Sequence, residues 1–263
     1  MAATVWQQLG ATVYTGGDLG ADQIEHFKKV GGKWLCPWVY QDMNAEANLA
    51  LVPYWRKQGL LVGGVFNVFG GDPETDAANI AQIAKANSLS LVTLDIEAAY
   101  QYPNPGCALM PILLSSLRQK LPSAQIGVNT NCLNDSMIWN GGSGGKSCYS
   151  LGIRVLPQWY SAPRYEGSTW TDPEKNMRWM QSYGDKDNFY DPKQQYHRAV
   201  PFSYIHPQVE PTGVEGAILQ VTIDSLVRAQ KLGFSVGISL FALERVPESD
   251  WALLSRFQGR LWY

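Results

Sequence analysis

Basic residues are not in excess in this chain: 21 Lys and Arg stand against 23 Asp and Glu, for a formal net charge of −2. With no Lys/Arg cluster and no nucleic-acid motif, neither RNA nor DNA is an expected partner. Histidine is scarce as well. The three, His26, His197 and His206, are scattered, so no metal site and no cofactor are expected. The four cysteines, Cys36, Cys107, Cys132 and Cys148, fit neither a CxxC nor a zinc-ribbon spacing. Cys132 and Cys148 flank the Gly-rich loop 140–145 and could close it under oxidising conditions; free buried thiols are the alternative. No run of about 18 apolar residues occurs, so no membrane span is expected. The opening Met1-Ala2-Ala3-Thr4-Val5-Trp6 lacks the basic and apolar regions of a Sec signal. That start suits an intracellular, cytoplasmic protein.

Trp, Tyr, Asn, Gln and Gly are plentiful, while charged residues make up only 17% of the chain. Rings that stack on pyranose faces and amides that bond hydroxyls suit a sugar-binding surface. The 263 residues fit one domain, residues 1–263. A single phrase recurs: a short apolar strand, polar or Gly-rich residues, then a helical stretch. Expected strands are Thr12–Thr15, Trp34–Tyr40, Leu61–Phe69, Ser90–Ile96, Gln125–Asn129, Arg154–Tyr160, Val200–Ile205 and Ser235–Leu243. Expected helices are Ala21–Val30, Ala47–Gly59 (kinked or started by Pro53), Asp76–Ala86, Ala108–Leu121, Asp172–Tyr183 and Val214–Leu232. Alternation of apolar strands with helices predicts a parallel sheet covered by helices. Eight units in one domain predict an α/β fold, a (β/α)₈ TIM barrel, with long loops after strands 5 and 6.

The segment Ser90-Leu91-Val92-Thr93-Leu94-Asp95-Ile96-Glu97 reads as a buried strand ending in two carboxylates. Side chains alternate along a strand, so Asp95 and Glu97 point the same way. Two crowded carboxyls push their pKa values apart, the arrangement glycoside hydrolysis uses. In such barrels chemistry sits at the C-terminal strand ends. Those ends read Tyr14, Asp18, Tyr40, Asp42, Asn67, Asp95, Glu97, Asn129, Asn131, Gln158, Tyr160, Tyr204, His206 and Glu244, with Trp38, Trp139, Trp159 and Trp170 as stacking platforms. Rival motifs are weaker. Gly141-Gly-Ser-Gly-Gly145 matches GxSxG but has no strand before it and no helix after it. Asp72-Pro-Glu-Thr-Asp76 is better explained as a helix cap than as a cation loop.

These residues resemble the family-25 glycoside hydrolases, the lysozyme-type muramidases of bacteria and phages. Gly64-Val-Phe-Asn-Val-Phe69 is similar to that family's third strand, Leu94-Asp-Ile-Glu97 to its Leu-Asp-x-Glu strand end, and Pro157-Gln-Trp-Tyr-Ser-Ala162 to its sixth-strand phrase. The chain departs from that pattern by lacking an acidic residue in the first strand and a His in the third. It also misses the alternating Asp run of family-18 chitinases, since Thr93 and Ser90 hold those positions. The resemblance implies a TIM barrel acting on or binding bacterial cell-wall polysaccharide such as peptidoglycan. Glu97 would be its general acid and Asp95 its stabilising carboxylate, the latter acting directly or by orienting a substrate N-acetyl group. Asn67, Asn129, Gln158, Trp159, Tyr160, Tyr204 and Glu244 would bind the substrate, with Asp42 a further carboxylate. The alternative is a catalytically inactive barrel serving as a structural or adhesive part of an assembly such as a phage tail, with virion proteins as partners.

Overall fold

Apolar residues at alternate positions turn toward helices, and their neighbours turn toward a common axis. This pattern builds strands β1 (Leu9–Val13), β2 (Gly32–Tyr40), β3 (Leu61–Val62), β4 (Gly64–Val68), β5 (Leu91–Ile96), β6 (Gln125–Thr130), β7 (Arg154–Pro157), β8 (Gln208–Val209) and β9 (Ile238–Leu240). The computed structural model describes residues 4–96, 106–130, 148, 150–158, 206–214, 217–230 and 237–262. All pairings between the strands are parallel, in the order β7-β6-β5-β4-β2-β1-β9-β8, with β3 on β2. β3 and β4 are separated by Gly63 alone and together act as the third barrel strand. The remaining gap, between β7 and β8, is spanned by a parallel bridge from Gln158 to Gln208 and by the His206 amide donating to the Val155 carbonyl (2.8 Å). The result is the predicted (β/α)₈ barrel, nearly closed.

Helices α1 (Ala21–Lys29), α2 (Ala45–Lys57), α3 (Pro73–Ala86), α4 (Gly106–Lys120) and α5 (Leu219–Ala229) alternate with the strands, and α6 (Glu248–Ser255) follows β9. Among the described residues, no helix is long and apolar enough to cross a membrane. The Asp72 carboxylate accepts from the Glu74 and Thr75 amides with Pro73 in the first turn, so the Asp72–Asp76 segment is a helix cap. α2 continues through Pro53 instead of starting there.

Two apolar layers hold the molecule. Outside the strands, Leu9, Ala11, Val13, Leu35, Phe66, Val92, Leu94 and Val128 pack against the helices. Inside runs a column of Trp6, Trp34, Cys36, Trp38, Val65, Leu91 and Leu156. Gly10 has no side chain because a Cβ there would run into the Trp34 ring, and a Cβ at Gly63 would sit 2.8 Å from the Cys36 sulfur. Trp6, on a 3-10 turn over Val5–Gln7, plugs the end of the barrel where the strands begin. Its ring meets Trp34 edge-on at 5.9 Å and His206 at 5.4 Å.

Several expected boundaries move. The first strand is Leu9–Val13 and not Thr12–Thr15, because Gly10 breaks an apolar run that is in fact the strand. The seventh strand is Gln208–Val209; the expected Val200–Ile205 lies outside the described residues, as do helix Asp172–Tyr183 and the loops after strands 5 and 6. The last strand shortens to Ile238–Leu240 and the helix before it to Leu219–Ala229, whose first amide is capped by the Thr212 hydroxyl at 3.1 Å. His206, expected at the mouth, is instead fully buried beside the Trp6 plug at the opposite end. Cys148 is a free buried thiol, and Cys132 lies outside the described residues.

Candidate active site

β4, β5 and β6 are the most regular neighbours in the sheet, and their register places Asn67 beside Asp95 and Asp95 beside Asn129. Val68, Leu94, Ile96 and Val128 turn outward into the helix layer, so the alternation turns these three polar residues inward. They form one row across the C-terminal ends of three adjacent strands. Asp95 is 8% exposed and Asn129 1%, whereas Asn67 is half-buried. Below Asp95, Thr93 is neutral and held, its hydroxyl donating to the Gly64 carbonyl at 3.0 Å.

The Trp38 indole fixes which way the Asn67 amide faces. An indole N–H can only donate, and Trp38 Nε1 donates to Asn67 Oδ1 at 2.9 Å. The Asn67 NH₂ group is thereby turned away from Trp38, and it donates to none of the described residues. Tyr14 and Phe241 meet the Trp38 ring edge-on at 5.6 and 5.5 Å, making a three-ring floor inside the mouth. The site therefore combines a carboxylate, amide donors and aromatic surface, the functional groups that sugar recognition uses.

On the other side of the barrel a looser polar path crosses the interior. Asn129 Nδ2 donates to Gln208 Oε1 at 3.5 Å, Gln208 Nε2 to the Thr12 hydroxyl at 3.4 Å, and that hydroxyl to the Leu240 carbonyl at 3.4 Å. Asn129 Oδ1 and the Ser239 hydroxyl are buried without a hydrogen-bond partner among the described residues. Gln158 is half-buried at the β7–β8 seam. Glu244 follows β9, and its Oε1 accepts from the Tyr14 and Thr15 amides at 2.9 and 3.0 Å, clamping the end of β1. Burial raises the Glu244 pKa above the usual carboxylate value, against those same amides, which lower it. Asp42 accepts from the Asn44 amide at 2.8 Å and organises the turn after β2.

Glu97, Trp159, Tyr160 and Tyr204 lie outside the described residues, as does Asn131. The sequence reading passed over Gln208 and Glu210, both buried on β8 or just after it, and Phe241 after β9. A faint signal for the first two was present: the two polar residues flank the apolar Val209 in the period-2 pattern of a strand with one polar face.

No protein-family model and no curated protein matches this chain. Solved structures do resemble it. A GH18 chitinase from Pseudoalteromonas aurantia superposes with a TM-score of 0.64 at 15% identity, over 96% of this chain and 99% of that one. The Legionella pneumophila ChiA C-terminal domain gives 0.64 at 10% identity, over 97% and 98%. A GH18 chitinase from Cycas revoluta, in complex with (GlcNAc)4, gives 0.61 at 9% identity, over 97% and 100%. At these identities the likeness establishes the barrel fold.

Proposed function

We propose that this barrel hydrolyses glycosidic bonds in a glycan of N-acetylated hexosamines, the chemistry shared by bacterial cell-wall polysaccharide and chitin. The observation that carries the reading is the row Asn67–Asp95–Asn129 on the inner face of the mouth, with Glu97 two residues beyond Asp95 in the sequence. That the similar folds named above include chitinases, one in complex with (GlcNAc)4, supports the same substrate class. Glu97, as a carboxylic acid, gives its proton to the glycosidic oxygen as the bond from the anomeric carbon breaks. The substrate's own N-acetyl oxygen bonds to that carbon, and the Asp95 carboxylate holds the N-acetyl N–H and offsets the positive charge. Water then adds at the anomeric carbon, gives its proton to the Glu97 carboxylate and restores the N-acetyl group. Asn67, whose NH₂ is set by Trp38, donates to the sugar, and Asn129, Gln158, Trp159, Tyr160, Tyr204 and Glu244 complete the binding set.

A second reading, a barrel that holds glycan or an assembly partner without cleaving, draws on the neutral Thr93 and Cys36 deeper in the barrel than Asp95, which supply no further carboxyl to share its proton. Release of reducing ends from peptidoglycan and from chitin oligomers separates the two. The hydrolytic reading expects activity in the wild type and a loss of about 10²- to 10⁴-fold in Glu97→Gln with the fold intact. Wild type and variant acting equally would remove Glu97 from the mechanism. A wild type inert on both glycans would leave the non-hydrolytic barrel.

A further inference from the structure

Asp95 has Asn129 as its in-register neighbour on β6, and the carbonyl oxygen of that amide, Oδ1, is buried without a hydrogen-bond partner among the described residues. The amide nitrogen is turned the other way, into the polar chain that crosses the barrel interior. The order of that chain follows from its far end. The Leu240 carbonyl can only accept, so the Thr12 hydroxyl donates to it. The Thr12 oxygen then accepts from Gln208 Nε2, and Gln208 Oε1 accepts from Asn129 Nδ2. Thr12, Gln208 and Asn129 are all buried, so an acceptor left open on Asn129 is costly until a donor meets it. Turning both amides round would satisfy Oδ1 from Gln208. It would also take the Thr12 hydroxyl from Leu240 and present an NH₂ group to Asp95, the arrangement that suits a carboxylate.

We infer that Thr12, Gln208 and Asn129 form a positioning relay that holds Asp95 as the neutral acid in the ligand-free barrel, its O–H donating to Asn129 Oδ1. A carboxylate beside a carbonyl oxygen brings two acceptors together, whereas a carboxylic acid makes a hydrogen bond of the same contact. Burial of Asp95 acts in the same direction, since it disfavours the charged form. Asn67 on β4 is neutral, and on β2 the Cys36 thiol, whose pKa burial pushes to about 12, is neutral too. Tyr14, Glu244 and Arg245 gather at the end of β1, and Glu210 follows β8. The cation of β7, Arg154, acts on His206 at the plugged end. On its own segment Asp95 has Glu97 two residues further along the sequence, a second carboxyl that favours a proton over a charge. In the proposed hydrolysis the Asp95 carboxylate takes the N-acetyl N–H, so its proton passes to solvent as the substrate binds. That consequence alone rests on the glycan reading.

Carbon-13 NMR of the side-chain carboxyls in the ligand-free protein tests the relay, the Asp95 signal being the one lost in Asp95→Asn. In the wild type it should titrate well above the ordinary aspartate midpoint of about 3.9. Thr12→Val keeps the shape of the side chain and removes the hydroxyl, so Gln208 and Asn129 are free to turn and offer NH₂ to Asp95. The midpoint should then fall by about one pH unit, a 10-fold change in proton affinity. Thr12→Ser should keep the wild-type midpoint. Gln208→Met, which removes both polar atoms at similar length, should lower it as Thr12→Val does. Thermal scans on the same samples read stability separately. A Thr12 that serves only the fold would lower Tm in Thr12→Val and leave the Asp95 midpoint in place, and that result overturns the relay. A wild-type midpoint at or below the ordinary value overturns it as well. A wild type inert on peptidoglycan and on chitin oligomers ends the hydrolytic reading, while the titration, made without glycan, still decides the relay.

Discussion

His206 lies with no exposed surface between the Trp6 and Trp34 rings, and burial holds its pKa down to about 4 against an ordinary 6.5. The Trp6 carbonyl works against that shift, and the charge of Arg154 adds to it. The folded state therefore prefers the neutral imidazole. The stability this brings is complete above pH 6.5 and drains away as the pH falls toward 4, where the unfolded chain takes up a proton that the folded chain refuses. A shift of that size corresponds to something on the order of 3 kcal/mol. Urea unfolding at pH 7 and pH 4.5 should show a marked acid loss in the wild type and a flatter profile in His206→Gln. Identical slopes in the two proteins would mean that carboxylates elsewhere set the acid limit. Glu244 has the opposite sign: its raised pKa favours the fold in acid, and ionising it as the pH rises costs stability.

Among the strands, β1 shows how closely the inner layer is fitted. Its outward residues Leu9, Ala11 and Val13 are fully buried, and its inward Gly10 lies against the Trp34 indole. Gly10→Ala forces that ring or the strand to move, and overpacking on this scale lowers Tm by about 5 to 10 °C. A thermal scan showing no change would mean that the indole can shift freely. The same strand marks where the sequence was hard to read. β2, β4 and β5 were legible because their runs are long and mostly apolar. β1 was misplaced because an inward glycine resembles an interruption. β8 was missed because it has only two residues, one of them the inward Gln208. The site divides in the same way. Asn67, Asp95 and Asn129 could be found because regular parallel strands bring corresponding ends into one row. The clamp of Glu244 on Tyr14 and the Gln208–Thr12 contact join residues 230 and 196 positions apart, and no local pattern encodes a pairing made only when the ring closes.

Across the whole molecule the barrel axis separates two kinds of chemistry. At the end where strands begin, Trp6 is 4% exposed, its backbone carbonyl meets His206, its ring reaches toward Gly127, and Trp34 donates to the Val5 carbonyl at 3.1 Å. That end is a packed plug, and its residues serve stability. At the other end Asp95 and Asn67 lie around the mouth, where polar groups are kept at a cost in stability that ligand binding offsets. If the two ends are independent, their variants should separate cleanly. Trp6→Ala removes a buried indole, worth about 3 to 5 kcal/mol, and should lower Tm by roughly 10 °C. At 20 °C the surviving folded protein should bind chitohexaose with an unchanged constant. Asp95→Asn should do the reverse, losing turnover while Tm moves by no more than about 3 °C. Paired thermal scans and titrations on the same preparations read both quantities. If Trp6→Ala weakens the glycan at a temperature where circular dichroism shows it folded, the plug and the mouth are mechanically coupled through the inner column of Trp34, Cys36 and Trp38, and the division between the two ends is wrong.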